Sequence, residues 1–366
     1  MVTRRTLLLS AGLAGCGRKL APRYQGWLFV ASEADKSVVV ADLAEFKRVI
    51  AIPLGHVPGQ IVVSGAGVFV TCPEAQAIVR IDAARLKVTG RINLPGRIVS
   101  TGLMGRSPIM AVLLERPASL VMLDLGSNQI ASKAVLPTDL APGSLATSPN
   151  MAAVAVGKRI LRFLPGATAS AGVTDIGSPP GPMLFRNDGK TILVGLPETR
   201  ELISLDAATG GLLSRLTLAV APRHFCFNSD GGQMFITGTG LDAMVIANTY
   251  QNEIDQTVSA GHEPASMAVQ AQQNVLLIAN PTTGNVTLLD IDSRRLAATV
   301  TVNGQPGEIL VTPGGEYALI VSRDSGDVSV IRLLTVLDRK QRTKPVFTVF
   351  PTGAKPRSAA IVPFAG

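Results

Sequence analysis

The chain has 366 residues, a formal net charge of +8, and only 16% charged residues. Hydrophobic residues make up 46% of it, and it contains 36 glycines and 24 prolines. This composition argues against long amphipathic helices and is typical of many short buried strands joined by tight turns. The mild positive charge suits anionic lipids or polyanions but specifies neither.

The first fifteen residues have the layout of an export signal. Arg4 and Arg5 form a basic start, and an apolar stretch runs from Thr6 to Leu13. This stretch is too short to span a bilayer as a permanent helix. The arginine pair resembles a twin-arginine signal, although a Sec signal with two basic residues remains the alternative.

A cysteine follows this segment in the sequence Leu-Ala-Gly-Cys, which ends at Cys16. The sequence resembles the bacterial lipobox, which implies cleavage before Cys16 and a lipid on that residue. The alternative is a soluble product with an incidental cysteine. We therefore expect a signal peptide over 1–15, a lipidated tether over 16–25 and a folded domain over 26–366. The protein would then lie in the cell envelope, on the periplasmic or outer side of a bacterial membrane, with the lipid as its membrane contact.

The rest of the chain repeats with a period of about 42 residues. Each copy contains an apolar alternating strand that in most copies ends in a polar residue, and a second apolar strand precedes it across a short polar loop. The ends of the repeated strand are Asp42, Asp82, Asp124, Leu164, Asp206, Asn248, Asp290 and Arg332.

Two further strands complete each unit. One follows the repeated strand, as at Arg48 to Pro53, and a proline-containing loop leads to the other, as at Gln60 to Ser64. Four antiparallel strands in about 42 residues form a propeller blade. The first unit lacks its innermost strand, and the chain finishes with a surplus one, Ser358 to Val362. We therefore predict an all-β, closed propeller of eight blades, sealed by the C-terminal strand.

Units such as ALIVSRDSGDVSVIRL and VLLIANPTTGNVTLLDIDSRRLAATVTVNGQP resemble the YVTN-repeat propellers of the YncE-like family. The resemblance covers nearly all of residues 26–366 and implies the propeller fold. Members of that family usually have seven blades and mostly lack an assigned role. Seven blades is therefore the alternative, with Ala152 to Pro180 as the unit that would fold differently.

Two sets of residues in the repeats have structural explanations. The Asp and Asn at six of the strand ends are expected to accept hydrogen bonds from the backbone of the following turn. Cys72 and Cys226 fall in different repeats, so we expect two buried free thiols rather than a disulfide.

The loops that lead into the innermost strands carry the candidate site. Each contains a proline, and the residue two positions later differs from repeat to repeat: Gln60, Arg97, Ser144, Pro182, His224, Ser266, Glu308 and Ser358. These side chains are expected around the mouth of the central channel, and the apolar residues that follow them should pack between blades. Arg223 and Arg357 adjoin this set, and His56 and His262 lie in equivalent loops.

The sequence contains no close cluster of His, Cys and acidic residues, so we predict no metal and no cofactor. The sequence contains no Gly-x-Ser-x-Gly nucleophile motif, no glycine-rich phosphate-binding loop and no HExxH zinc-binding motif. We therefore favour a monomeric, non-catalytic binding or scaffold propeller that presents its loops and channel mouth to a protein, peptide or small ligand.

Two other functions remain open. Similar propellers include lactonases and haem-binding redox proteins. A lactonase would need a metal pocket lined by more carboxylates than Glu308 alone. A haem would need a histidine ligand and basic partners for its carboxylates, which His224, Arg223 and Arg357 could supply. Nucleic-acid binding, which the family resemblance also raises, is disfavoured, because aromatic residues are only 4% of the chain and stacking platforms need them.

Overall fold

The computed structural model describes residues 23–65, 67–137, 141–337 and 344–364. The predicted signal and lipidation site, with Arg4, Arg5 and Cys16, lie outside these residues. The described chain forms eight four-stranded antiparallel sheets, which are the blades of a β-propeller.

The strands follow one another with little intervening structure. Blade 1 begins with β1 (Gly26–Ser32), β2 (Ser37–Asp42) and β3 (Lys47–Pro53). Blade 2 contains β4 (Ile61–Ser64), β5 (Gly67–Cys72), β6 (Ala77–Asp82) and β7 (Lys87–Asn93). Blade 3 contains β8 (Arg97–Leu103), β9 (Ile109–Glu115), β10 (Ser119–Asp124) and β11 (Gln129–Val135). Blade 4 contains β12 (Pro142–Ser148), β13 (Met151–Val156), β14 (Arg159–Phe163) and β15 (Gly172–Asp175).

The second half of the ring has the same pattern. Blade 5 contains β16 (Met183–Phe185), β17 (Thr191–Leu196), β18 (Glu201–Asp206) and β19 (Leu212–Thr217). Blade 6 contains β20 (Ala221–Phe227), β21 (Gln233–Thr239), β22 (Ala243–Asn248) and β23 (Glu253–Ser259). Blade 7 contains β24 (Met267–Gln270), β25 (Val275–Asn280), β26 (Asn285–Asp290) and β27 (Arg295–Thr301). Blade 8 contains β28 (Pro306–Val311), β29 (Tyr317–Ser322), β30 (Asp327–Arg332), the unpredicted helix α1 (Leu333–Leu337) and β31 (Val346–Pro351), and β32 (Pro356–Pro363) ends the series.

The ring closes through the last strand. β32 pairs antiparallel with β1, from Gly26 opposite Pro363 to Ala31 opposite Ser358, and so becomes the innermost strand of blade 1. The count of eight blades and the closing strand are therefore confirmed, and the seven-blade alternative is wrong. The weak unit forms an ordinary four-stranded blade 4, although its outer strand β15 has only four residues.

The core lies between successive blades. The two middle strands of each blade are covered on both faces, so strands such as β5 and β17 are buried along their full length. Phe29 of blade 1, for example, belongs to one cluster with Val68 and Val79 of blade 2. The outer strands face solvent; β3 exposes its first four residues.

The acidic strand ends are turn formers, as predicted. The carboxylate of Asp42 accepts a hydrogen bond from the backbone N–H of Ala44 at 2.7 Å, and that of Asp206 accepts one from Thr209 at 2.7 Å. These hydrogen bonds to Thr209 hold the pKa of Asp206 below its usual value, because they stabilise the charged form.

The propeller has two distinct faces, because connections alternate between the two ends of the strands. The loop after β1 lies beside the loop before β32, where the N–H of Glu33 donates to the carbonyl of Lys355 at 3.1 Å. At the other end of β1, the N–H of Leu43 donates to the carbonyl of Gly26 at 3.0 Å. We call the side with the proline loops the mouth face and the side with the acidic turns the Asp-turn face.

Neither thiol pairs with the other. Cys72 and Cys226 are both free, as predicted; Cys72 is buried, whereas Cys226, also expected to be buried, is half-buried. No helix in the described residues is long and apolar enough to cross a membrane.

Candidate functional site

The proline loops meet around a depression at the centre of the mouth face. One cavity of 720 Å³ is lined by six of the predicted residues: Gln60, Arg97, Ser266, Glu308, Arg357 and Ser358. A second, of 500 Å³, is lined by Ser144, Arg223 and His224 and shares Val99, Ser100 and Ser266 with the first. Because they share walls, the two cavities are halves of one channel mouth, which we call the mouth site.

Five of the ring residues bond to the next blade along the chain. Ser144 Oγ donates to the carbonyl of Gly181 at 2.6 Å, Ser266 Oγ donates to the carbonyl of Gly307, and Gln60 Oε1 accepts from Thr101 Oγ1 at 2.7 Å. The other two, Ser358 and Glu308, accept hydrogen bonds from the backbone N–H groups of Ile61 and Ala359 at 3.2 and 2.7 Å. The polar ring therefore ties neighbouring blades together as well as lining the channel.

Two arginines of the mouth site are neutralised by acidic residues. Arg97 forms ion pairs of 2.7 Å with both Glu74 and Glu115, which raise the pKa of its guanidinium. Arg357 lies 3.4 Å from Glu33. These pairs are partly or largely exposed, so they fix side-chain positions more than they stabilise the fold.

Glu308 is the half-buried acid of the ring. Burial raises the pKa of its carboxyl group to about 7, and the hydrogen bond from Ala359 offsets only part of that effect. Within the described residues no basic side chain forms an ion pair with it. At neutral pH this carboxyl group is therefore divided between its neutral and charged forms.

His224 stands among positive charges. Burial lowers the pKa of its imidazole, and the nearby guanidinium groups of Arg323 and Arg223 lower it further. The ring is therefore neutral at pH 7. Arg223 and Arg323 are exposed, and neither has an acidic partner in the part of the chain that the structure describes. A side chain at Gly307 would come within 2.7 Å of Cγ of Arg323, so this glycine leaves room for the arginine.

A third cavity, of 700 Å³, adjoins the mouth site between blades 6 and 7 and is also lined by Arg223 and His224. His262 lies in its wall, with Nδ1 2.8 Å from Oδ2 of Asp242. This contact raises the pKa of His262 and lowers that of Asp242. His224 and His262 thus line one cavity, as expected, whereas His56 is exposed and lines none of the cavities described above.

The described residues contain no group of three or more His, Cys, Asp or Glu side chains arranged to hold a metal ion. The thiol of Cys226 is a poor nucleophile, because burial raises its pKa to about 11.

Sequence comparison of the proline loops missed Arg323 and Asp242. Both follow second strands of their blades, in the hairpin loops that share the mouth face with the proline loops. Their signal in the sequence is the variation among equivalent hairpin loops, which parallels the variation among the proline loops.

Comparison with known proteins identifies the fold alone. No family model and no curated protein matches this chain, so membership of the YVTN-repeat family stays a prediction. Among solved structures, the chain is similar to dihydro-heme d1 dehydrogenase NirN in complex with DHE, with a TM-score of 0.76, 14% identity, and coverage of 91% of this chain and 74% of that one. It is also similar to apo AztD from Citrobacter koseri, with a TM-score of 0.71, 12% identity, and coverage of 93% and 98%.

Proposed function

We propose that this protein is a non-catalytic ligand-binding propeller of the bacterial cell envelope, tethered through a lipid on Cys16, and that its mouth site takes a small anion. The observation that carries the proposal is that Arg223 and Arg323 both line the mouth site without an acidic partner in the described residues, and that their charges act on neutral His224. Every other arginine that lines the mouth site is paired with a carboxylate.

The size and chemistry of the site suit such a ligand. A cavity of 720 Å³ falls in the usual range for small-molecule sites. Guanidinium groups bind carboxylates and phosphates through paired hydrogen bonds, and partial removal from water strengthens these contacts. The hydroxyls of Ser144 and Ser266 donate to the next blade, so Arg223 and Arg323 supply the charged donors that remain for a ligand.

Glu308 adds a pH dependence to binding. In its neutral form the carboxyl group donates a hydrogen bond to an anionic ligand, whereas in its charged form it repels one. Since burial raises its pKa to about 7, anion affinity is expected to fall as the pH rises from 6 to 8.

Calorimetric titration of the purified protein with inorganic phosphate, citrate and succinate tests the proposal. We expect saturable binding of at least one anion. Its affinity should fall by about tenfold or more in each of the variants Arg323→Gln and Arg223→Gln. Arg85→Gln is the matched control, because Arg85 is exposed on the Asp-turn face. Binding that is absent, or that survives both mouth variants unchanged, contradicts the proposal.

A redox cofactor protein is the second candidate, and one observation favours it. Neutral His224 on the channel wall would bind the iron of a haem, and Arg223, which has no acidic partner in the described residues, would hold a haem carboxylate. The likeness to NirN, at 14% identity, supports the fold only. Protein purified from its own membranes should be examined by visible spectroscopy and native mass spectrometry. A Soret band that is lost in His224→Ala would favour this candidate over the bare binding module.

A further inference from the structure

The two faces of the propeller differ in how the chain enters them. The first described residues, Arg23 to Gly26, lie on the Asp-turn face, where Arg23 Nη1 donates to the carbonyl of Ala44 at 2.8 Å. The last strand ends on the same face, and the N–H of Phe364 donates to the carbonyl of Gln25 at 3.2 Å. The mouth site is at the opposite end of β1, six residue steps or roughly 20 Å away.

A cluster of aromatic and basic side chains lies beside the chain entry at Arg23. Arg23 lies 6.0 Å from the ring centroid of Phe46, which lies 5.6 Å from that of Phe347, and Arg332 lies 4.5 Å from Phe347. The seam patch consists of these four residues with Leu334 and Lys344. All six lie at the Asp-turn end of blade 8: Phe46 and Phe347 meet at its junction with blade 1, whereas Leu334 belongs to α1, which packs on the side of blade 7.

The seam patch exposes both apolar side chains and positive charges on the Asp-turn face. Leu334 is 48% exposed and Phe347 is 38% exposed. Arg23 and Lys344 are exposed and form no ion pair within the described residues. Aromatic and aliphatic groups flanked by Lys and Arg are typical of surfaces that lie in the headgroup layer of a bilayer.

We propose that the seam patch rests on an anionic lipid surface and that the mouth site therefore points away from the membrane. This inference depends on the lipid anchor that forms part of the proposed function. Six residues lie between Cys16 and Arg23, and the seven residue steps span at most about 25 Å, so the face where the chain enters is the one held nearest the lipid. The positive charge of the patch complements phosphatidylglycerol headgroups, because basic side chains are attracted to an anionic lipid surface.

Lysine acetylation of the full lipidated protein in phosphatidylglycerol nanodiscs tests the orientation. Lys344 reports on the seam patch and Lys355 on the mouth face, and both are exposed. Relative to the same protein in detergent, acetylation of Lys344 should fall several-fold and that of Lys355 should not change. Protection of Lys355 instead, or equal labelling of both, overturns the proposal.

Vesicle flotation separates this inference from the anchor itself. If mass spectrometry finds no lipid on Cys16, the proposed anchor fails, and the unlipidated chain is then tested on phosphatidylglycerol vesicles. Flotation that drops by about tenfold or more in the double variant Leu334→Asp with Lys344→Glu supports the seam patch. The matched control is Leu212→Asp with Arg215→Glu on the outer strand of blade 5. No flotation of the unmodified chain, or equal loss in the control, overturns the inference.

Discussion

The carboxylate oxygen Oε2 of Glu308 accepts a hydrogen bond of 2.7 Å from the backbone N–H of Ala359 and joins blade 8 to the closing strand of blade 1. The same acid lines the mouth site. One side chain therefore serves the closure of the ring and the charge balance of the channel, and it is buried enough for its ionisation to be unfavourable.

The first prediction concerns this ionisation. The pKa of Glu308 is about 7 in the folded chain and close to 4.5 when unfolded, so the folded state holds the proton more tightly between those values. Its contribution to stability therefore falls as the pH rises from 4.5 to 7, by up to about 3 kcal/mol.

Glu308→Gln keeps an acceptor for Ala359 and removes the ionisation. Its thermal midpoint should exceed that of the unmodified protein at pH 8 and match it near pH 4.5. Glu253→Gln, an exposed outer-strand change, is the control and should not alter this pH profile. A Glu308→Gln midpoint that tracks the unmodified protein at every pH would show that burial does not perturb this acid.

The second prediction concerns the positive field at His224. Arg323→Gln should raise the pKa of His224 towards its ordinary value, because one of the two nearby positive charges is removed. Proton NMR titration of the imidazole signals measures this, and the chain has only three histidines. Asp242→Asn is the matched change: it should lower the pKa of His262 and leave His224 unaltered. A His224 signal indifferent to Arg323→Gln would place the two groups too far apart for the proposed anion site.

The third prediction concerns the closing strand. Val362 is 3% exposed and packs in the cluster between blades 1 and 2. Val362→Asp places a carboxylate in that core and should cost about 3 kcal/mol or more. Val49→Asp, on the solvent-facing outer strand of the same blade, should cost well under 1 kcal/mol. Chemical denaturation compares the two; equal midpoints would mean that β32 does not seal the ring.

The fourth prediction concerns the thiols. Burial raises the pKa of Cys72, and it raises that of Cys226 to about 11. At pH 8 only about one part in a thousand of a thiol with that pKa is thiolate, so Cys226 should react slowly. In a Cys16→Ser variant, which leaves only these two thiols, titration with a chromogenic disulfide should detect neither thiol in the native protein and both in denaturant. Rapid reaction of the native protein at pH 8 would contradict the burial of both sites.

The repeat predicted most of the fold because each unit meets the same physical requirement. Strands such as β5 and β25 are apolar throughout, since both sheet faces must be covered by neighbouring blades. The surplus last strand predicted closure because an unpaired β1 would otherwise remain. Among the elements that the structure describes, α1 alone departs from the pattern, in the longer connection between the third and fourth strands of blade 8.

The sequence by itself therefore determined the number of blades, the closing strand, the turn-forming role of residues such as Asp42 and the ring of variable side chains. The tertiary structure decided which of those side chains are free. Ser266 and Glu308 are engaged with the next blade. Arg97 is neutralised by Glu74 of blade 2 and by Glu115 of its own blade, and the charge of Arg323 in blade 8 acts on His224 in blade 6. Periodicity records how a residue sits within its own blade, whereas pairing of charges depends on contacts between blades that only the closed ring brings together.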